Sequence, residues 1–107
     1  MKQAFFLGNS RKCLLDFPAD ARREAGYQLS QVQEGKEPSD WKVMPTIGTG
    51  VKEIRINVAG AFRVIYLATL PDNVYVIHAF SKKTQRTSKT DIDLAKARLK
   101  QLMEAKK

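Results

Sequence analysis

The sequence predicts an α+β domain in which helices pack against a mainly antiparallel sheet. Three runs rich in β-branched and aromatic residues follow one another between residues 51 and 82, separated only by short turns. Such runs are typical of an antiparallel meander. One segment with helical spacing lies before the meander and another lies after it. We therefore expect a layered core of sheet and helices.

The chain has the length of one ordinary domain, with 107 residues of which 43% are hydrophobic. It contains no repeat or long linker, so we expect a single domain over residues 1–107. No apolar run is long enough to cross a membrane, and the start shows no signal-peptide pattern. One cysteine, Cys13, and one histidine argue against a disulfide and against a metal enzyme. These features predict a cytoplasmic protein that uses neither a metal nor another cofactor.

Residues 1–50 predict a short strand, two helices and a loop. The run QAFFLG is typical of a strand, and Ser10 to Leu15 is typical of a helical turn. Pro18 stands where a longer helix begins, since its missing N–H does no harm there. The apolar residues of this helix recur at helical spacing and are Ala21, Ala25, Leu29 and Val32. Gly35 to Gly50 is rich in Gly and Pro, which predicts an irregular loop pinned to the core by Trp41 and Met44.

Alternation along the three strands predicts two unlike faces of the sheet. The apolar face should pack on the helices and carries Ile54, Ile56, Val58, Phe62, Val64, Tyr66, Tyr75, Ile77 and Ala79. The opposite face collects the basic residues Arg55, Arg63, His78 and Lys82. It also carries the apolar residues Val76, Ile65 and Leu67, which would be exposed unless the C-terminal helix covers them. We expect this mixed face to be the functional surface.

The last segment predicts a helix with Thr90 as its N-cap. Asp91 and Asp93 follow in the first turn, where the helix dipole favours negative charge. The apolar stripe of this helix consists of Ile92, Ala95, Leu99 and Leu102. The predicted order of elements is therefore a strand, two helices, three strands and a helix.

The charge of the chain is high and unevenly distributed. The formal net charge is +8, and residues 74–107 contain nine Lys and Arg against three Asp and Glu. Such an excess favours an acidic partner, most often a nucleic acid. A surface that only keeps the protein soluble would have the same composition.

The basic residues of the mixed face suit the phosphate of an RNA chain. RNA is cut without a metal when its 2′-hydroxyl attacks the adjacent phosphate, so the protein must move protons and stabilise negative charge. Arg55 and Arg63 suit the charge, His78 suits the proton, and Phe80 could stack on a base. Each has a plainer explanation, since His78 could be a structural residue and the arginines could be cross-strand partners of Glu53.

The run GVKEIRINVAGAFRVIYLATLPDNVYVIHAFSKKTQRTSKTDIDLAKARL closely resembles the phage-derived HigB-like branch of the RelE/ParE toxin superfamily. Residues 17–50 match the same branch, so the resemblance covers nearly the whole chain. Its most specific parts are EIR, FRVIY, HAFSKKTQ and DIDLAKAR.

The resemblance implies a RelE-like toxin fold and the toxin of a type II toxin–antitoxin pair. Many relatives cut mRNA on the ribosome, and a helix-turn-helix antitoxin neutralises them. We therefore expect a metal-independent endoribonuclease with two partners, mRNA on the ribosome and a cognate antitoxin. Two alternatives stay open. One is a non-enzymatic toxin with a protein target such as gyrase, and the other is a degenerate phage-derived protein that only binds an antitoxin.

The resemblance also implies catalytic residues. Arg63 in FRVIY matches the arginine that holds the scissile phosphate in relatives. Lys82 and Lys83 match the basic run after the third strand of the meander, where relatives keep a catalytic or phosphate-binding cation. His78 matches the HAF motif of the branch and is the fourth residue of the expected catalytic set.

A second set of residues is expected to bind RNA. Lys52 and Arg55 match the basic first strand of the meander, which contacts RNA in relatives. Phe80 offers a ring for stacking, and Arg86 belongs to the basic run that follows. Several active relatives have a Tyr or His near the chain end, whereas residues 88–107 contain no aromatic residue and no histidine. His78 and the lysines would have to supply that function here.

Overall fold

The computed structural model describes residues 1–83 and 86–107, so Thr84 and Gln85 of the HAFSKKTQ motif lie outside the described residues. The strands are β1 Gln3–Phe6, β2 Trp41–Val43, β3 Val51–Ile56, β4 Phe62–Leu67 and β5 Asn73–Ser81. The helices are α1 Ser10–Leu15, α2 Ala19–Gln33 and α3 Lys89–Ala105. The strands form one sheet in the order β1-β5-β4-β3-β2, in which the β1–β5 pair is parallel and the other three pairs are antiparallel. The predicted α+β class is confirmed.

Different elements cover the two faces of the sheet. On one face, Leu29 of α2 belongs to a buried cluster with Ile54 and Val64. On the other face, Leu102 of α3 belongs to a second buried cluster with Ile65. Apolar side chains are therefore buried on both sides of the sheet.

This second cluster corrects the expectation of an exposed mixed face. Ile65 and Leu67 are 0% and 2% exposed, because α3 and the loop after β2 pack over them. Val76 is also fully buried, but it belongs to the cluster under α1 and α2. None of these three side chains offers an apolar surface to a partner.

A β-bulge in β5 changes which side chains share a face. Ile65 pairs with His78, but the next residue of β4, Tyr66, pairs with Val76, so Ile77 is an extra residue. One extra residue reverses the alternation of the strand beyond it. Ile77 therefore joins the cluster under α3, whereas Ala79 faces α1 and α2. Tyr75 likewise faces α3, so placing it and Ile77 on one face with Ala79 was wrong.

The loop from Gly35 to Gly50 contains a strand that the sequence does not reveal. Trp41–Val43 forms β2, which pairs with β3 in antiparallel register and makes the second edge of the sheet. Three residues are too few to show a period, so only pairing with β3 defines this strand. Met44 is 6% exposed, which confirms that this side chain anchors the loop.

The helices agree with their predicted patterns except at one cap. α1 has the predicted bounds, and the predicted apolar positions of α2 are all buried. In α3, Ala95 and Leu102 are buried as expected. The N-cap of α3 is Ser88, whose Oγ accepts a hydrogen bond from the backbone N–H of Asp91 at 3.1 Å, and Thr90 lies inside the helix. Within the described ranges, no helix is both long and apolar enough to cross a membrane.

Candidate functional site

Cross-strand register brings basic and acidic residues together on the sheet face that packs against α3. Arg55 of β3 lies directly opposite Arg63 of β4, and Arg63 lies opposite Phe80 of β5. Glu53 is two residues before Arg55 on β3 and therefore lies on the same face. Lys42 of β2 lies directly opposite Glu53. Two like charges placed opposite each other are destabilising, and Glu53 beside them offsets this repulsion. We call Lys42, Glu53, Arg55, Arg63, His78 and Lys82 the polar cluster.

Arg63 is buried at the centre of the polar cluster and is 7% exposed. Its Nη1 donates to the backbone carbonyl of Phe62 at 2.8 Å and to Oδ1 of Asn57 at 3.4 Å. Its Nε lies 3.7 Å from Oε1 of Glu53, which is an ion pair but too long for a hydrogen bond. Burial lowers the pKa of the Arg63 guanidinium, and the charge of Glu53 partly opposes this shift.

Glu53 is fully buried, which is rare for a carboxylate. Its Oε2 accepts a hydrogen bond from Oγ1 of Thr87 at 2.7 Å. Arg55 is less buried, and its Nη1 lies 3.8 Å from Oδ1 of Asp40. Glu53 therefore connects the strands of the sheet to the segment that leads into α3.

His78 is 6% exposed and lies beneath the start of α3. Its Nε2 is 2.7 Å from Oδ1 of Asp91, and its ring stacks on Phe80 with 4.9 Å between centroids. Because a carboxylate only accepts hydrogen bonds, we assign the proton of the neutral ring to Nε2. His78 thus holds in place two side chains that border the adjacent cleft, Phe80 and Asp91.

This cleft has a volume of about 150 Å³ and lies between the end of β5 and the start of α3. It is lined by Phe80, Ser81, Lys82, Lys83, Arg86, Ser88 and Asp91. Burial lowers the pKa of Lys82, and the nearby charge of Arg63 lowers it further. Lys83 and Arg86 are exposed at the cleft. The cleft and the polar cluster together therefore contain seven of the eight predicted site residues.

Lys52 is the predicted site residue that the fold places elsewhere. It lies three residues from Arg55 on β3, so alternation directs it to the opposite face of the sheet. There its Nζ lies 2.9 Å from Oε2 of Glu37 and 4.4 Å from the centre of the Trp41 ring. The structure therefore does not bring Lys52 together with Arg63.

Several residues at this site were not singled out as site residues from the sequence. Lys42 was missed because β2 itself was not predicted. Thr87 and Asp91 carried only a weak signal, since polar residues near a helix start usually serve as caps. In the described part of the chain, no group of three or more His, Cys, Asp or Glu is placed to hold a metal ion.

The polar cluster also holds unpaired hydrogen-bonding atoms. Among the described residues, the buried side-chain atoms without a hydrogen-bond partner are Glu53 Oε1, Arg55 Nε, Arg63 Nε and His78 Nδ1. Buried polar atoms are nearly always paired in folded proteins. Their concentration on one patch indicates a place where a polar ligand or ordered water completes the bonding.

Residues 12–100 match the family described as phage derived protein Gp49-like (DUF891). This range covers most of the chain and includes all eight predicted site residues. The chain belongs to this family. The description of this family agrees with the phage-derived origin that the resemblance implied. The strand β1 lies outside the matched range. A search of curated proteins found no match.

Proposed function

We propose that this Gp49-like protein is the toxin of a type II toxin–antitoxin pair and cuts mRNA on the ribosome. The observation that carries the proposal is the set of unpaired buried atoms, which lie among cations on one patch of the sheet. Two of these atoms belong to the guanidinium groups of directly opposed residues, Arg55 and Arg63. Such a pair suits the oxygens of a phosphate, because guanidinium groups recognise phosphate with directed bonds. The parts of the proposal that name mRNA as the substrate and the ribosome as the place of cutting come from the resemblance to HigB-like toxins.

The proposed reaction needs no metal, because the RNA supplies its own nucleophile. The 2′-oxygen attacks the adjacent phosphorus, and the bond from phosphorus to the 5′-oxygen breaks. We assign the 2′ proton to Lys82, because it lines the cleft and because burial and the charge of Arg63 lower its pKa, which is the direction a base requires. Lys83 beside it returns a proton to the leaving 5′-oxygen. Arg63 and Arg55 stabilise the charge that develops on the phosphate.

The other predicted residues act around this centre. Phe80 lines the cleft and offers its ring to a base, and Arg86 at the same cleft attracts the RNA backbone. His78 acts by holding Phe80 and Asp91, because its ring stacks on Phe80 and its Nε2 is bonded to Asp91. In this proposal Lys52 serves only as a second, separate contact with RNA on the opposite face.

Expression in a bacterial cell, followed by mapping of mRNA 5′ ends, tests the proposal. Cuts in phase with codons are expected for the wild type and for the control Arg11→Ala, which removes an exposed cation on α1. Arg63→Lys keeps a charge beside Glu53 but loses the planar fork, so cutting should fall by roughly 10² to 10³. DNA breaks with intact mRNA would favour a protein target such as gyrase. No effect on growth would favour a degenerate protein that only binds an antitoxin.

A further inference from the structure

A chain of three side chains links the entry to α3 with the buried arginine of the sheet. Thr87 precedes the N-cap of α3, is 8% exposed, and donates from Oγ1 to Oε2 of Glu53 at 2.7 Å. Glu53 in turn presents Oε1 to Nε of Arg63 at 3.7 Å. Thr87 and Glu53 are 34 positions apart in the sequence, so only the tertiary fold makes this chain.

Arg63 needs such a support because its own hydrogen bonds fix one end of its guanidinium group. Among the described residues, these bonds both come from Nη1, to the Phe62 carbonyl and to Asn57. Arg55 lies directly opposite and repels it. The charge of Glu53 attracts the Nε side of Arg63 without taking up its N–H in a hydrogen bond.

Glu53 needs a support of its own. A carboxylate with one bonded oxygen has a defined orientation, whereas an unbonded one can rotate toward any of the surrounding cations. The Thr87 hydroxyl occupies Oε2 and so directs Oε1 toward Arg63. A buried hydroxyl and carboxylate placed in this way form a supporting layer behind the arginine.

We infer that Glu53 and Thr87 are positioning residues that hold the Nε side of Arg63, so that the rest of its guanidinium group is directed at the scissile phosphate. This inference rests on the proposed function, since it concerns how Arg63 meets RNA. The site is then complete only when the start of α3 is docked, because Thr87 belongs to the segment that leads into that helix. A small misplacement of Arg63 lowers the rate of the chemical step more than it lowers RNA binding.

The first experiment measures cleavage of ribosome-bound mRNA by Thr87→Val, which replaces the hydroxyl with a methyl group of the same size. We expect kcat to fall roughly ten- to a hundredfold with little change in KM. Thr87→Ser retains the hydroxyl and should restore most of the activity. Thr90→Val makes the same change at an exposed position of the first turn and should behave as the wild type. If Thr87 were merely structural, Thr87→Val would lower thermal stability but leave the kcat of the folded enzyme unchanged.

A second readout does not depend on catalysis. The Nε–H of Arg63 gives an NMR signal that Arg63→Lys identifies by its loss. We expect Thr87→Val and Glu53→Gln to move or broaden this signal, and Thr87→Ser to leave it in place. If Thr87→Val does not fold, Glu53→Gln alone provides this test. An unchanged signal in both folded variants, or an unchanged kcat, would overturn the inference. If the wild type cuts no RNA, the proposed function fails, and the NMR signal alone decides whether Glu53 and Thr87 orient Arg63.

Discussion

Arg63 and Glu53 illustrate how a single buried residue depends on its partner. Both are nearly inaccessible to water, and Nε of Arg63 lies 3.7 Å from Oε1 of Glu53. Replacing one partner of a buried ion pair leaves the other charge without compensation, and that cost exceeds the net contribution of the pair itself. The candidate site is therefore tied to the stability of the fold at this position.

We expect Arg63→Ala to lower the free energy of unfolding by about 3–5 kcal/mol, because Glu53 would remain charged and buried. Glu53→Ala should have a similar cost for the reciprocal reason. The double variant should lose less than the sum of the two, since neither unpaired charge remains. Urea unfolding of the four proteins measures this coupling, and strictly additive losses would show that the two side chains do not act as a pair.

At the scale of elements, α3 is attached to the sheet at several points along its length. Near its start, Asp91 meets His78, and Ser88 caps the helix. In the middle, Arg98 donates to the backbone carbonyl of Ile77 at 2.9 Å. Just after its last residue, Lys106 pairs with Asp72 in the turn between β4 and β5. Because Ser88 and Asp91 line the cleft, the attachments at the start of α3 position one wall of the site.

The cap of α3 gives a direct test of where this helix begins. Ser88→Ala removes the hydroxyl that accepts the N–H of Asp91 and should destabilise the protein by about 1 kcal/mol. Thr90→Ala is the matched control, because Thr90 lies inside the helix and is exposed. Thermal or urea unfolding compares the two variants. A larger loss for Thr90→Ala would instead place the cap where the sequence pattern predicted it.

The contact beyond the other end of α3 predicts a dependence of stability on pH. Hydrogen bonds lower the pKa of Asp72 from 3.8 to about 2. The bond from Lys106 has the largest effect, and the bond from Tyr75 has the second largest. A folded pKa below the unfolded value stabilises the protein above about pH 4, and this contribution is lost as the pH falls through 2. The difference in unfolding free energy between the wild type and Asp72→Asn should therefore be constant near neutral pH and vanish near pH 2. A difference that persists at pH 2 would contradict this assignment.

At the scale of the whole molecule, the positive charge is the dominant surface property. The net charge of +8 creates a field that attracts any acidic partner, whether RNA or protein. Apolar attraction to the site face is weaker than the sequence suggested, because Ile65, Leu67 and Val76 are all buried. An antitoxin docking beside Arg63 and His78 would therefore depend mainly on charge.

Association with the proposed antitoxin, taken as the product of a neighbouring gene, should slow as salt is added. Screening acts over about 8 Å at physiological ionic strength and weakens steering between opposite charges. Lys82→Glu/Lys83→Glu should slow association further, while Arg22→Glu/Arg23→Glu, on the exposed side of α2, should have a smaller effect. Stopped-flow association rates across a salt series measure the effect of salt and the effect of each charge reversal. If the association rate changed neither with salt nor with the charge reversal at Lys82 and Lys83, the antitoxin would dock elsewhere on the molecule.

Cleavage should continue when metal ions are removed, because the proposed reaction uses only side chains and the RNA itself. A short RNA at high protein concentration separates this step from the magnesium requirement of the ribosome. We expect equal cleavage rates in EDTA and in added magnesium. Strict dependence on a divalent ion in this assay would overturn the proposed mechanism.

Elements that have a clear local period could be predicted from neighbouring residues alone. The stripes of α2 and α3, the three strands of the meander and the basic C-terminal part all follow from neighbours a few residues apart. The strand β2 did not follow, because three residues acquire their structure only by pairing with β3. For the same reason, no local pattern shows the bulge at Ile77, since a shift of register depends on the partner strand.

The surroundings of the candidate site depend on how the elements pack together. Alternation placed Arg55, Arg63 and His78 on one face, but Arg63 and His78 are buried in the folded protein. Contacts of Glu53 with Thr87 and of His78 with Asp91 join residues from separate elements, so their geometry exists only after the sheet and α3 have packed. A sequence lists the groups that could do chemistry, whereas their exposure and their charge depend on the elements that exclude water around them.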